Sequence, residues 1–220
     1  MRKSILLFVM GCLLSGAVGP AFGQEAKNDQ KNGQNQLKVG DQAPTFVLKA
    51  LNGETVFLRD YCGKELRPFH KTKYVVILSF FASWCVPCRT EIPILQQFYE
   101  TFKDEPLKVF LVNYTPSEQD LVTHQPISDS KRRLEVVREF VKEQGYTLPV
   151  LLDEFGTAAR NFKVADDRDR ARLPHLFVID RDGYLRLINT GFSGSPREFQ
   201  RELITTISPL LQDPLPWRPE

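Results

Sequence analysis

The stretch YVVILSFFASWCVPCRTEIPIL, Tyr74 to Leu95, constrains the fold more than any other part of the chain. Tyr74 to Phe81 is almost continuously apolar and rich in β-branched residues, as expected of a strand buried on both faces of a mainly parallel sheet. From Pro87 onward, Ile92, Leu95, Phe98, Tyr99 and Phe102 recur at helical spacing. Strand therefore runs straight into helix, and Cys85 and Cys88 stand at the junction.

The flanking sequence supplies the rest of an α/β architecture. Thr45 to Lys49 and Thr55 to Leu58 are β-prone runs around Asn52-Gly53, which favours a tight turn and hence an N-terminal hairpin. Leu107 to Asn113 reads as a second buried strand. Leu134, Val137, Phe140 and Val141 mark one face of a second helix. A short strand at Leu148 to Leu152 and a brief helical piece from Phe155 to Phe162 follow. His175 to Asp180 and Tyr184 to Asn189 flank Arg181-Asp182-Gly183 as another hairpin, and Pro196 opens a last helix with Phe199, Leu203, Ile207 and Leu210 inward. This alternation predicts an α/β sandwich around a central sheet. The polar stretch from Pro116 to Ser130 is unassigned.

At 220 residues, 42% of them apolar, the chain has material for one ordinary domain with appendages. Residues 1–23 combine Arg2 and Lys3, an apolar run from Ile5 to Val18, and Ala21-Phe22-Gly23, the small-x-small pattern after which signal peptidase cuts. Cleavage there, lipidation at Cys12 and retention of residues 4–23 as a membrane anchor all stay open, the pattern favouring cleavage. The protein is expected to be exported and periplasmic, with membrane contact only if this segment is kept. Residues 24–37 read as a flexible tether, 38–212 as the domain, and 213–220, with Pro214, Pro216 and Pro219, as an irregular tail. Loss of Arg2 and Lys3 leaves 27 basic against 27 acidic residues, a balance that argues against nucleic acid as a partner.

Two thiols this close suit a metal, a structural bridge or a redox couple. Zinc wants about four ligands, and the mature chain adds only Cys62 and three scattered histidines. A copper carrier would recruit His124 or His175 to two soft sulfurs. A structural bridge would close a very small loop and remove little chain entropy. Redox use fits best, because Cys85 at a helix N-terminus meets unpaired N–H groups and the positive end of the dipole, which favour a thiolate. Cys85 is then the exposed nucleophile, Pro87 fits the first helical turn, and Cys88, a turn in, is the shielded thiol that resolves a mixed disulfide. Cys62 is left over as a free thiol.

Ser83-Trp84-Cys85-Val86-Pro87-Cys88, Pro93 and Leu173-Pro174 before a strand resemble thioredoxin-fold oxidoreductases. The entry segment Val39-Gly40-Asp41-Gln42-Ala43-Pro44-Thr45-Phe46, with Leu51-Asn52-Gly53-Glu54 and Leu58-Arg59-Asp60, is similar to the exported TlpA, ResA and DsbE type of the redoxin or AhpC-TSA superfamily. Peroxiredoxins share that entry but lack the second thiol and want Thr or Ser where this chain has Ala82. The resemblance implies a thioredoxin-like α/β/α sandwich with an N-terminal β-hairpin extension and a central insertion.

It further implies catalytic Cys85 and Cys88, and a cis-Pro174 facing them. Ordinary thioredoxins keep a buried aspartate six residues before the first cysteine; here that position is Ser79. Glu91, on the helix face of Cys88 and matching a glutamate of the exported branch, is the candidate proton acceptor. The alternative is a glutamate that only favours the positive end of the helix. Trp84, Leu173 and His175 are candidate substrate-binding residues, although a packed aromatic and a structural histidine explain Trp84 and His175 as well. The loop Asp166 to Arg172 is a solvated segment or a charged selector of partners. Together these features predict a thiol:disulfide oxidoreductase that reduces selected protein disulfides, for example in cytochrome c maturation. It would use no cofactor beyond the cysteine pair and be recharged by a membrane thiol donor. A copper-binding carrier is the rival reading.

Overall fold

The computed structural model describes residues 36–212, apart from Asp169 and Ser193. The expected export signal, the tether as far as Asn35 and the tail at 213–220 lie outside the described residues. In chain order the elements are β1 (Val47–Ala50), β2 (Thr55–Phe57), β3 (Val75–Phe81), α1 (Cys88–Thr101), β4 (Leu107–Asn113), α2 (Ser130–Gln144), β5 (Val150–Leu152), α3 (Thr157–Asn161), β6 (His175–Ile179), β7 (Leu185–Thr190) and α4 (Pro196–Gln212). Each predicted run forms its element within a few residues.

One seven-stranded sheet runs β2-β1-β5-β4-β3-β6-β7. The expectation of a mainly parallel sheet needs correcting. Only β3/β4 and β4/β5 pair in parallel, whereas β1/β2, β1/β5, β3/β6 and β6/β7 are antiparallel. A tight hairpin can only join antiparallel strands, and both hairpins seen in the sequence are built into the sheet. The first docks through Lys49↔Leu152 and Ala50↔Leu151, so it widens the sheet instead of standing apart from it. The second turns at Gly183, whose φ of 88° suits glycine and which passes close enough to the Gly63 backbone that a Cβ would lie 3.0 Å from it.

β3 reads as continuously buried because both sheet faces are covered, not because its neighbours are parallel. Val75, Ile77 and Phe81 face α1, α2 and α4 through Ile92, Leu95, Phe98, Val137, Phe140, Leu203 and Ile207. Val76, Leu78 and Phe80 face the other way, onto Phe46, Leu58, Ala158, Ala159 and Phe162. Burying each of the larger apolar side chains is worth about 1.5–3 kcal/mol. On α1, Cys88, Glu91, Ile92, Leu95 and Phe98 form the buried stripe, while Pro93 lies on the exposed side, where the Arg89 carbonyl that it leaves without a helical partner can be hydrated. The same apolar stripe that anchors α1 therefore aims Cys88 and Glu91 at the sheet.

Candidate active site

After β3 the chain turns at Ser83-Trp84, the Cys85 N–H donates to the Ala82 carbonyl at 3.1 Å, and α1 opens at Cys88 with Pro87 just ahead of it in the right-handed region. Pro87 thus precedes the first helical residue, and Cys88 is that residue, a shift of the size expected at helix ends. Cys85 and Cys88 form a disulfide, with their Cα atoms 5.3 Å apart. The Cys88 N–H, which the helix leaves unpaired, donates to Cys85 Sγ at 3.3 Å. The expectation of an exposed Cys85 needs correcting: it is 2% exposed and Cys88 0%, while Val86 between them is 72% exposed. Cys85 and Cys88 both belong to the first core cluster, Cys88 being the more buried by a small margin.

Glu91 is 1% exposed and accepts a 2.6 Å hydrogen bond from Ser79 Oγ. Burial pushes its carboxyl up to about 7, and the Ser79 donor opposes the shift. The helix N-terminus alone would not draw a carboxyl into an apolar layer. Its contact is with the strand position at which ordinary thioredoxins carry their aspartate.

The Leu173–Pro174 peptide is cis and Pro174 is buried, its carbonyl accepting from the Gly191 N–H at 2.8 Å. Leu173, half-buried, packs against both core clusters. Trp84 is half-buried against the cluster that contains the disulfide, and its Nε1–H donates to the Ser117 carbonyl at 2.6 Å. His175 does not share this surface. Its ring is stacked on Phe177 at 4.8 Å, on the opposite face of the sheet from the cysteines, and its Nε2 lies 3.2 Å from Thr190 Oγ1. Burial and the Arg172 charge lower its pKa to about 4, so it is a neutral core histidine at physiological pH. Strand alternation explains the miss: in sequence it follows Pro174, but its side chain takes the other side.

The copper reading gains no third ligand from this arrangement, since His175 is turned away and, among the described residues, no three of His, Cys, Asp and Glu are gathered to hold a metal. In the loop from Asp166 to Arg172, Asp166 pairs with Arg170 at 2.6 Å and is held down to about 2 by hydrogen bonds from it.

Sequence reasoning missed Glu118. This 0%-exposed carboxylate accepts from the Ser83 N–H at 2.9 Å, from Ser83 Oγ and from Asn113 Nδ2 at 2.6 Å. It lies in the unassigned polar stretch, just past a 3-10 turn at Thr115–Ser117, and no local periodicity marks it.

A central sheet with helices on both faces, a disulfide-forming C-x-x-C pair at a strand–helix junction and a cis-proline before the antiparallel strand define a thioredoxin-fold thiol:disulfide oxidoreductase. The chain belongs to the AhpC/TSA family, whose sequence pattern it matches over residues 39–188. It is 29% identical over 191 residues to the thiol-disulfide oxidoreductase ResA of Bacillus subtilis, covering 87% of this chain and 88% of ResA. The thioredoxin-like protein YneN of the same organism is 30% identical over 167 residues, covering 76% of this chain and 79% of YneN. Among solved structures, a Chlorobium tepidum protein assigned provisionally as thiol:disulfide interchange protein DsbE superposes with a TM-score of 0.59 at 28% identity, covering 80% of this chain and 99% of that one. StoA from Bacillus subtilis shares the fold with a TM-score of 0.51.

Proposed function

We propose that the protein is exported and reduces selected protein disulfides, as in cytochrome c maturation, with Cys85 as nucleophile and Cys88 as resolving thiol. The Cys85 thiolate attacks one sulfur of a substrate disulfide and expels the other as a thiolate, leaving a mixed disulfide. Cys88, its proton taken by Glu91, then attacks Cys85 Sγ. The Cys85–Cys88 disulfide forms, the second substrate sulfur leaves as thiolate, and two electrons have moved to the substrate. A membrane thiol donor returns them, and no cofactor beyond the cysteine pair takes part.

The observation that carries this reading is the unequal surroundings of the two sulfurs. Cys85 Sγ receives a backbone N–H, while Cys88 shares its buried helix face with Glu91. A carboxyl that titrates at about 7 is partly ionised near neutral pH, and in its carboxylate form it accepts the Cys88 proton. Pro174 and Trp84, with Leu173, would flank the substrate chain. Val86 and Pro87 add no charge to the motif, which favours a reductant over a strong oxidant.

The test is the reduction potential of the Cys85/Cys88 couple in redox buffers. A value near or below that of thioredoxin, about −270 mV, supports the reductant, and one near −120 mV makes the protein an oxidant. Export is checked separately by sequencing the mature N-terminus, expected at Gln24; a lipidated Cys12 or an intact Met1 would indicate a lipoprotein or an anchored protein.

A further inference from the structure

The turn carrying Cys85 is held from three directions by groups that the exchange chemistry does not use. Glu118 takes both the backbone N–H (2.9 Å) and the hydroxyl of Ser83. The Ser83 carbonyl accepts from Arg89 Nη2 at 3.0 Å, which ties the turn to α1. Trp84 is tied by its indole N–H to the Ser117 carbonyl at 2.6 Å, one residue before Glu118. Behind the carboxylate, Asn113 donates at 2.6 Å and is itself held by Thr115 Oγ1 at 2.9 Å. Ser83, Asn113 and Glu118 are each 0% exposed.

A buried carboxylate is a costly way to hold a loop, since leaving water costs several kcal/mol that its hydrogen bonds must offset. Burial raises the Glu118 carboxyl, and donors from Ser83, Asn113 and the Gln119 backbone oppose the shift. What such an anchor gives, and apolar packing does not, is direction: two bonds to one residue, one to its backbone and one to its side chain, fix both its position and its rotation. That residue stands two before Cys85. The Cys88 N–H···Sγ contact needs Cys85 Sγ held within hydrogen-bond reach of the first amide of α1.

We infer that Glu118 is a positioning residue for thiol exchange: by clamping Ser83, and through it the Ser83-Trp84 turn, it keeps Cys85 Sγ under the Cys88 N–H and so sets the reactivity of the Cys85 thiolate. The inference rests on the reading of Cys85 as nucleophile. Arg89 closes the clamp from the helix side, tying the turn to α1 through the Ser83 carbonyl.

The test uses the full chain in a Cys12→Ala, Cys88→Ala background, where Cys85 is the only active-site thiol and the buried Cys62, pushed up to about 12, stays silent. The probes are the thiolate absorbance of Cys85 against pH and its rate of attack on oxidised glutathione. Glu118→Gln keeps the shape but faces the Ser83 donors with an amide. It should raise the Cys85 midpoint by about one pKa unit, and below that midpoint slow attack about three-fold, the tenfold loss of thiolate being partly offset by its greater basicity. A midpoint and a rate equal to those of this parent, with only the melting temperature lowered, would reduce Glu118 to a structural tie and overturn the inference. Should Glu118→Gln not fold, Ser83→Ala decides: it removes one donor, and a smaller shift in the same direction supports the clamp whereas none overturns it. A parent that fails to attack glutathione at all would instead bring down the assignment of Cys85, and the clamp with it.

Discussion

Ser79 Oγ donates a 2.6 Å hydrogen bond to Glu91 Oε1 from β3, a strand whose other side chains are all apolar. The pair joins the strand before the cysteines to the helix after them, so the acid group below the disulfide is reached from α1 and merely steadied from the sheet. Replacing Glu91 by Gln keeps the Ser79 contact and removes the titrating proton site. Resolution of a mixed disulfide should slow by ~10²-fold or more, the usual contribution of a positioned general base. The apparent titration of the cysteine pair should also lose its inflection near pH 7. Stopped-flow measurement of the resolving step at several pH values checks both, and an unchanged profile would return Glu91 to a helix-end charge.

Stability against pH should separate Glu91 from His175. Glu91 titrates at about 7 in the fold against an ordinary 4.5, so the folded state binds more protons between those values and this contribution is lost as pH rises across the window. His175 titrates at about 4 against 6.5, so the unfolded state binds more protons and stability is lost as pH falls from 6.5 towards 4. Each is worth up to roughly 3 kcal/mol, and their slopes oppose over most of the range. Denaturant titrations between pH 4 and 8 should therefore show Glu91→Gln gaining stability more steeply than wild type from pH 4 to 6.5. His175→Phe, which preserves the stacking on Phe177, should instead lose stability steadily from pH 4.5 to 7. Parallel curves for all three proteins would refute the assigned titrations.

The order of attack is tested by trapping. Cys88→Ala still attacks through Cys85 but cannot release the product, so mixed disulfides should accumulate on non-reducing gels of cells expressing it. Cys85→Ala leaves Cys88, fully buried and on the face of Glu91, where ionising a second acid is costly, and should trap little. Stronger trapping by Cys85→Ala would invert the roles, and the bands trapped by Cys88→Ala would name the substrates.

Cys62 is 2% exposed and not disulfide-bonded, and burial raises its thiol to about 12. Cut before Gln24, and so without Cys12, the oxidised folded protein should therefore react with no more than a trace of thiol reagent at neutral pH, and should reveal one thiol per chain once unfolded. Rapid labelling of the folded oxidised protein would contradict this burial.

The chemistry of this protein is written locally. The apolar run into Cys85, the spacing to Cys88, the Pro at 87 and the stripe from Ile92 to Phe98 each depend on neighbours within two helical turns, so periodicity alone places the thiols at a strand–helix junction. The two hairpin turns are legible for the same reason. What depended on residues distant in sequence was not. The antiparallel majority of the sheet came from how the hairpins dock, and the seat of Glu91 from Ser79 on another element. His175 left the candidate site because a strand side chain must choose a face, and its neighbour Pro174 gives no hint of which. Glu118 stayed invisible for the clearest reason: it meets Ser83 across 35 residues, and in sequence a buried carboxylate looks like any other loop glutamate until the fold removes its water.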